Sequence, residues 1–198
     1  MIVILGRPSV RPLVQDVRLV PDGVSVAIAR AVVSAGRPVE LVGSVGDDDA
    51  GDALVVGLGR EGIGHAALLR QPVAATPVAG QPPCGLAPTL DLADVELGLG
   101  YIPDVDVLVL SEPLDRDAES AALDAAAYHG ARVVAVVPPG TVPSERLATV
   151  ATVLESSEDP PPAFTAMVGR YAAELDRGAA PEAGFEIATA AAGWEPRV

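Results

Sequence analysis

Residues 23–64 constrain the fold more than any other part of the chain. Apolar residues recur there at helical spacing before Gly36, and residues 39–42 form a short run rich in β-branched side chains, as in a buried strand. Residues 47–49 are three aspartates, whose carboxylates can accept hydrogen bonds from the free N–H groups of a first helical turn. The stretch therefore predicts a helix, a strand and a second helix in succession.

The rest of the chain continues this alternation. Apolar runs predict further strands at 2–5, 65–70, 106–110, 132–137 and 151–154, and helical spacing predicts helices at 91–99, 116–128, 143–148, 163–177 and 181–192. Strands that are apolar throughout are typical of a parallel sheet covered on both faces. We therefore predict a three-layer α/β fold with a mostly parallel sheet of about six strands, in a single domain over residues 1–198.

Composition excludes several classes of partner and site. The net charge is −14, and all thirteen basic residues are arginines spread singly along the sequence, so neither nucleic acid nor an anionic membrane is an expected partner. We expect a cytoplasmic protein, because neither a basic leader nor an apolar run of membrane length is found. The one cysteine, Cys84, excludes an internal disulfide, and an inert thiol is the favoured interpretation.

Nine spaced positions in the constraining stretch carry a family resemblance. They are Gly43, Val45, Gly46, Asp48, Gly51, Leu54, Leu58, Gly62 and Ile63. In this register they resemble the early glycine and acid signature of the ribokinase (PfkB) family of carbohydrate kinases. The resemblance implies a ribokinase-like three-layer fold, ATP and Mg²⁺ as cofactors, and phosphoryl transfer to a hydroxyl of a sugar or nucleoside.

The chain departs from the family where a substrate would be held. An acid that binds substrate hydroxyls in the family aligns with Arg11, and an asparagine of the first helix aligns with Ala27. Residues 13–21 leave room for at most one short strand of the family's lid. Residues 71–90 contain five prolines and are predicted to be a lid remnant or a proline-rich loop, because such a segment cannot lie in the centre of a sheet.

The catalytic turn of the family is also altered. Its Gly-Ala-Gly-Asp sequence aligns with Asp159, Pro160, Pro161 and Pro162. Proline has no N–H to donate to a phosphate, and the position of the catalytic aspartate has no carboxylate. The few residues between Leu154 and these prolines leave no room for the strands and the adenine pocket of the family. We therefore predict no catalytic residue; if the chain is active, Asp159 is the candidate base.

Other motifs favour structural roles. The acidic residues 47, 48, 49 and 52 could ligate Mg²⁺, but helix capping is favoured, and no metal site is predicted. Residues 57–62 match G-x-G-x-x-G, but they follow a helix instead of a strand, which indicates a helix C-terminus. His65 and His129 each stand alone, and Asp115 and Asp117 are interpreted as caps of the following helix.

The candidate substrate-binding residues are Gly23 and Glu112. Glu112 follows a predicted strand at the carboxyl end of the sheet, where ligands bind in open α/β folds. The first hypothesis is a degenerate ribokinase-like protein that lacks phosphoryl transfer, has no cofactor, and acts as a binding or interaction protein with a second copy or another protein as partner. The alternatives are an active kinase for a sugar or nucleoside and a small-molecule sensor.

Overall fold

The computed structural model describes residues 1–13, 16–157 and 159–194. The strands are β1 (Ile2–Leu5), β2 (Ser9–Leu13), β3 (Asp16–Asp22), β4 (Val39–Gly46), β5 (Leu68–Gln71), β6 (Val107–Leu110), β7 (Arg132–Val137) and β8 (Ala151–Glu155). The helices are α1 (Val24–Ser34), α2 (Asp49–Arg60), α3 (Leu92–Gly100), α4 (Arg116–His129), α5 (Glu145–Val150), α6 (Pro162–Asp176) and α7 (Pro181–Ala192). In the described residues, no helix is both long and apolar enough to cross a membrane.

Six strands form one parallel sheet in the order β5-β4-β1-β6-β7-β8. Successive side chains of a strand point to opposite faces, and the central strand β1 shows the consequence. Ile2 and Ile4 pack with apolar residues of α1, α2, α6 and α7, whereas Val3 and Leu5 pack with those of α3, α4 and α5. The predicted three-layer α/β fold is confirmed, with one hydrophobic core on each face of the sheet.

The lid prediction was wrong in one respect. Residues 9–13 and 16–22 form an antiparallel pair, β2 and β3, whereas the sequence predicted at most one short strand, within residues 13–21. The hairpin begins earlier than expected, because β2 includes Ser9 and Val10, which lie between Pro8 and Pro12. The pairing shifts register between Pro12 and Leu13, and such an irregularity is one of the few places where a strand tolerates proline.

The proline-rich segment lies against this hairpin. Residues 72–91 contain no helix or regular strand, only isolated bridges. The Val10 N–H donates to the Pro77 carbonyl oxygen at 3.0 Å, and the Ala79 N–H donates to the Val10 carbonyl oxygen at 2.7 Å. The segment thereby continues the small sheet beyond β2 without entering the main sheet.

Helices α1 and α6 are packed closely together at Gly169. A Cβ atom added there would lie 2.5 Å from both the Ala31 Cβ and the Ile28 carbonyl oxygen, so only glycine allows this approach. Both helices begin at the carboxyl end of the sheet, where Ser25 and Pro160 line the same cleft. The close packing fixes the two helix N-termini relative to each other.

Candidate ligand-binding cleft

The topology places a cleft at the carboxyl end of the sheet, between β1 and β6. From β1 the chain passes through α1 to β4 on one side, and it later returns to β6 on the other side of β1. In open α/β sheets, the loops after two such strands separate and leave a crevice for a ligand. A cavity of about 460 Å³ lies there, lined by Arg7, Val24, Ser25, Ser111, Glu112, Pro113, Val136, Val137, Pro138, Ser156, Ser157 and Pro160.

An ion pair between Arg7 and Glu112 joins the two loops that flank this switch point. The Arg7 Nε donates to Glu112 Oε2 at 2.9 Å and its Nη2 donates to the same oxygen at 2.7 Å, while the Arg7 N–H donates to Oε1 at 2.6 Å. The hydrogen bond to Glu112 raises the pKa of Arg7, although partial burial opposes this shift. Both ions face the cleft, and each neutralises the other.

The first turn of α1 is uncapped. Gly23 is the N-cap residue and has no side chain, and the first turn contains no acidic residue. Ala27 makes the first intrahelical hydrogen bond, to the Gly23 carbonyl oxygen, so the N–H groups of Val24, Ser25 and Val26 precede the helical ladder. The Ser25 side chain is only 2% exposed, and its hydroxyl has no hydrogen-bond partner among the described residues. The α1 terminus therefore presents unused donors beside the cleft.

The first turn of α6 has few donors left. Pro161 is the N-cap and Pro162 the first helical residue, with φ and ψ of −61° and 148° at Pro161. The Phe164 N–H is already bonded to the Pro161 carbonyl oxygen at 2.9 Å. Proline at this position begins a helix well, because its fixed φ suits the first turn. The side chain of Asp159 is exposed; its carbonyl oxygen accepts from the Ser157 hydroxyl at 3.0 Å.

The acidic turn before α2 is a helix cap. Asp48 is the N-cap residue and accepts from the Gly51 N–H at 2.8 Å and from the Thr76 N–H and hydroxyl at 2.8 and 2.7 Å. Burial alone would raise the pKa of Asp48, but these hydrogen bonds, with the charge of Arg70, lower it below its ordinary value. Within the part of the chain that the structure describes, no three acidic, histidine or cysteine side chains are grouped to hold a metal.

The structure brings some of the predicted residues together and separates others. Glu112 lines the cleft, and Gly23 directly precedes the cleft residues Val24 and Ser25. Asp159 is not a lining residue, although Pro160 beside it is. Arg11 lies in β2, with its Nε 3.7 Å from Asp22 Oδ1, and it does not line the cleft. The basic residue that lines the cleft is Arg7.

The remaining motifs lie outside the cleft. Asp115 caps α4 by accepting from the N–H groups of Asp117 and Ala118, as predicted. The G-x-G-x-x-G residues span the end of α2 and the turn at Gly62, where φ is 72°. His65 Nδ1 contacts the Ile63 carbonyl oxygen at 3.0 Å, and His129 is the last residue of α4.

Solved structures with the same arrangement of elements are sugar and nucleoside kinases. A ribokinase II of E. coli, in complex with ATP and Mg²⁺, matches with a TM-score of 0.68 over 96% of this chain and 91% of that chain, at 14% identity. The chain has a ribokinase-like fold. An aminoimidazole riboside kinase of Salmonella enterica, complexed with the riboside and an ATP analogue, matches with a TM-score of 0.65 over 97% and 91%, at 16% identity.

A phosphofructokinase-2 mutant of E. coli shares the ribokinase-like fold as well, with a TM-score of 0.64 over 96% of this chain and 91% of that chain, at 17% identity. No family model matches the sequence. A search of curated proteins finds no match either. At these identities the likeness establishes the ribokinase-like fold, and the activity has to be argued from the residues of the cleft.

Among the cleft residues that sequence reasoning missed are Arg7 and Ser25. Arg7 follows the first strand by two positions. A position just after a parallel strand indicates a residue near the ligand crevice, and this signal could have identified Arg7. Ser25 stands in the first turn of a helix with a glycine cap, which marks an uncapped terminus. The burial of the Ser25 hydroxyl depends on residues that are distant in sequence, such as Gly6. A Cβ added to Gly6 would lie 3.1 Å from the Ser25 Cβ.

Proposed function

We propose that this protein binds a small ligand in the cleft of a ribokinase-like fold and does not transfer a phosphoryl group from ATP. The cleft has the size and position of a ligand site, and it is formed by four strand ends and two helix N-termini. The sugar and nucleoside kinases with this fold suggest the kind of ligand, a sugar or nucleoside or a derivative of one.

The observation that carries the proposal is the run of prolines at the start of α6. A transferred phosphoryl group needs donors aimed at the charge that develops on its oxygens. Here Pro160, Pro161 and Pro162 have no N–H groups, and the Phe164 N–H is occupied by the Pro161 carbonyl. The position aligned with the family's catalytic aspartate is Pro162, which can accept no proton.

The alternative is an active kinase that uses Asp159 as the base, with ATP and Mg²⁺. The fold shared with an ATP and Mg²⁺ complex favours this alternative. Against it, Asp159 is exposed and does not line the cleft. A general base has to come within hydrogen-bond reach of the hydroxyl that it deprotonates.

Calorimetry and a phosphoryl-transfer assay separate the two. We expect no micromolar binding of ATP·Mg²⁺, and no ADP formation above the rate without protein for a panel of sugars and nucleosides. Melting temperatures measured across the same panel, with and without phosphorylated members, should rise for the ligand class that binds. Micromolar ATP binding together with a phosphorylated product would overturn the proposal in favour of the kinase.

We further propose that a second copy of the chain is the partner. The strand β8 pairs only with β7 among the described strands, so its other edge carries unpaired backbone groups. Its central residues Thr152 and Val153 are half-buried and uncharged, and nothing in their side chains opposes pairing. Antiparallel pairing of two β8 edges would satisfy these groups about a two-fold axis. Light scattering at micromolar concentration should give the mass of a dimer, and a monomer mass would reject this arrangement.

A further inference from the structure

We infer that the cleft recognises the phosphate group of a phosphorylated small molecule, and that this phosphate is bound at the N-terminus of α1 by the Ser25 hydroxyl and the N–H groups of the first turn. The inference rests on the proposed function, since it names the ligand class of the same cleft. It differs from kinase chemistry, in which a phosphoryl group would be held at the start of α6.

The first support is the state of the α1 terminus. A helix N-terminus carries a partial positive charge and free N–H groups, and a side-chain carboxylate or hydroxyl ordinarily satisfies them. Gly23 supplies no such group, and Val24 and Ser25 line the cleft. An oxyanion in the cleft would be the cap that the sequence omits.

The second support comes from a side chain and not from the backbone of the helix. The Ser25 hydroxyl is buried and has no partner within the described part of the chain, which is a costly state for a polar group. Ser111, its neighbour across Gly6, is satisfied, because its hydroxyl donates to the Leu5 carbonyl oxygen at 2.8 Å. A ligand oxygen in the cleft would satisfy Ser25 as well.

The charges of the cleft favour an anion over a neutral polyol. Arg7 and Glu112 are the charged residues among the described residues that line it, and they form an ion pair. Sugar hydroxyls are ordinarily held by a carboxylate that accepts their hydrogens, but both oxygens of Glu112 already accept from Arg7. What the cleft offers in excess is donors.

The number of donors favours a phosphate over a carboxylate. Besides the α1 terminus, Ser156 lines the cleft and brings a further hydroxyl, whereas the Ser157 hydroxyl already donates to the Asp159 carbonyl oxygen. Together with Ser25 and the N–H groups of the first turn, the Ser156 hydroxyl could serve three phosphate oxygens, whereas a carboxylate has two. The cavity of about 460 Å³ leaves room for a group attached to the phosphate.

The experiment is a titration of the ¹⁵N-labelled full chain, followed by amide chemical shifts, with inorganic phosphate, ribose 5-phosphate, ribose and acetate as separate probes. We expect saturable shifts at Val24, Ser25 and Val26 with phosphate, tighter binding of ribose 5-phosphate, and no saturation with ribose or acetate. Ribose that binds as tightly as ribose 5-phosphate, or acetate as tightly as phosphate, would overturn the inference.

A matched pair of variants tests the role of the hydroxyl. Ser25→Ala should weaken phosphate binding about tenfold, as expected for one hydrogen bond to a charged group. Ser44→Ala is the control, because Ser44 is also buried, with a hydroxyl that finds no partner in the described part of the chain, but does not line the cleft. It should leave the affinity for phosphate unchanged. Equal affinity in the Ser25→Ala variant and the wild type would show that the hydroxyl is not a ligand.

The outcomes distinguish this inference from the proposed function. Phosphorylation of a sugar by ATP would overturn the absence of phosphoryl transfer, whether or not phosphate binds at α1. Shifts confined to residues 163–165, at the start of α6, would place the anion there and overturn the α1 site. The loss of a folded spectrum in Ser25→Ala would be resolved with Ser25→Thr, which keeps the hydroxyl and should keep phosphate binding within about threefold if the hydroxyl is the ligand.

Discussion

Helices α1 and α6 begin at the same cleft, but their first turns differ in what they can donate. The α1 turn has a glycine cap, free N–H groups and a buried hydroxyl that has no partner among the described residues, whereas the α6 turn begins with prolines and has little to offer an anion. Because the two helices pack together at Gly169, their termini have a fixed relation. The difference teaches that one fold can place two helix starts at a single cleft and still give them very different numbers of N–H donors.

The largest expected effect comes from separating the two helices. Gly169→Ala places a Cβ 2.5 Å from the Ala31 Cβ and the Ile28 carbonyl oxygen, so α1 has to move. Overpacking of this kind costs about 2 kcal/mol, more than the helix propensity that alanine gains. Urea unfolding measures the loss, and phosphate titration should show weaker binding because the cleft widens.

The control for this change is another buried helical glycine. In Gly184→Ala the new Cβ would lie 3.4 Å or more from its nearest neighbours, which is ordinary contact. Its stability should be unchanged or slightly higher. If both variants lose stability equally, the close approach of α1 and α6 is not what fixes the two termini.

The next effect concerns α2, whose start, unlike that of α1 or α6, is capped by a side chain. Asp48→Ala removes the acceptor for Gly51 and Thr76 and should cost about 1 kcal/mol at pH 7. The pKa of Asp48 is lowered in the folded protein, so its contribution is fully present above the unfolded value of about 3.9 and is lost as the pH falls through the folded value.

Urea unfolding of wild type and variant at pH 7 and at pH 3 measures this dependence. The difference in the free energy of unfolding between the two proteins should shrink at the lower pH. Asp49→Asn is the control, since Asp49 is an exposed acid of the same turn. If the difference in the free energy of unfolding stays constant with pH, the negative charge of Asp48 is not needed for capping α2.

A smaller effect is expected when the prolines at the start of α6 are replaced. The triple variant Pro160→Ala, Pro161→Ala and Pro162→Ala restores N–H groups at the start of this helix. We expect the affinity for phosphate to rise about fivefold, in line with the interaction of an anion with a helix terminus, and shifts to appear at residues 161–163 as well as at 24–26. An unchanged affinity would mean that something other than the missing donors closes this end of the cleft.

The sequence could predict the elements of the fold because their signals are local. Val39, Leu41 and Val42 are apolar and lie inside the observed strand β4, and Asp48 caps α2 as the acidic turn indicated. The glycines of the signature have a physical basis as well. A Cβ at Gly43 would overlap the Gly6 carbonyl oxygen, and one at Gly51 would overlap that of Gly46, so these positions reflect close backbone packing.

The cleft could not be predicted to the same extent, because its contacts join distant parts of the chain. Arg7 and Glu112 are 105 positions apart, and no local pattern pairs them. The second lid strand was missed because the prolines of residues 8–12 obscure a strand signal. The prolines of α6, in contrast, could be interpreted from sequence, since the absence of an N–H is a property of the residue itself.

The smallest expected effect tests the ion pair that keeps the cleft neutral. Arg7 is 46% exposed and Glu112 is 23% exposed, so a double-mutant cycle with Arg7→Gln and Glu112→Gln should give a coupling energy of only about 0.5 kcal/mol, and less at high salt. The effects on phosphate binding should have opposite signs. Glu112→Gln removes a negative charge and frees the guanidinium, which should strengthen binding, whereas Arg7→Gln leaves the carboxylate unpaired and should weaken it. Effects of the same sign would show that the charges of Arg7 and Glu112 do not act on a phosphate bound at the α1 terminus.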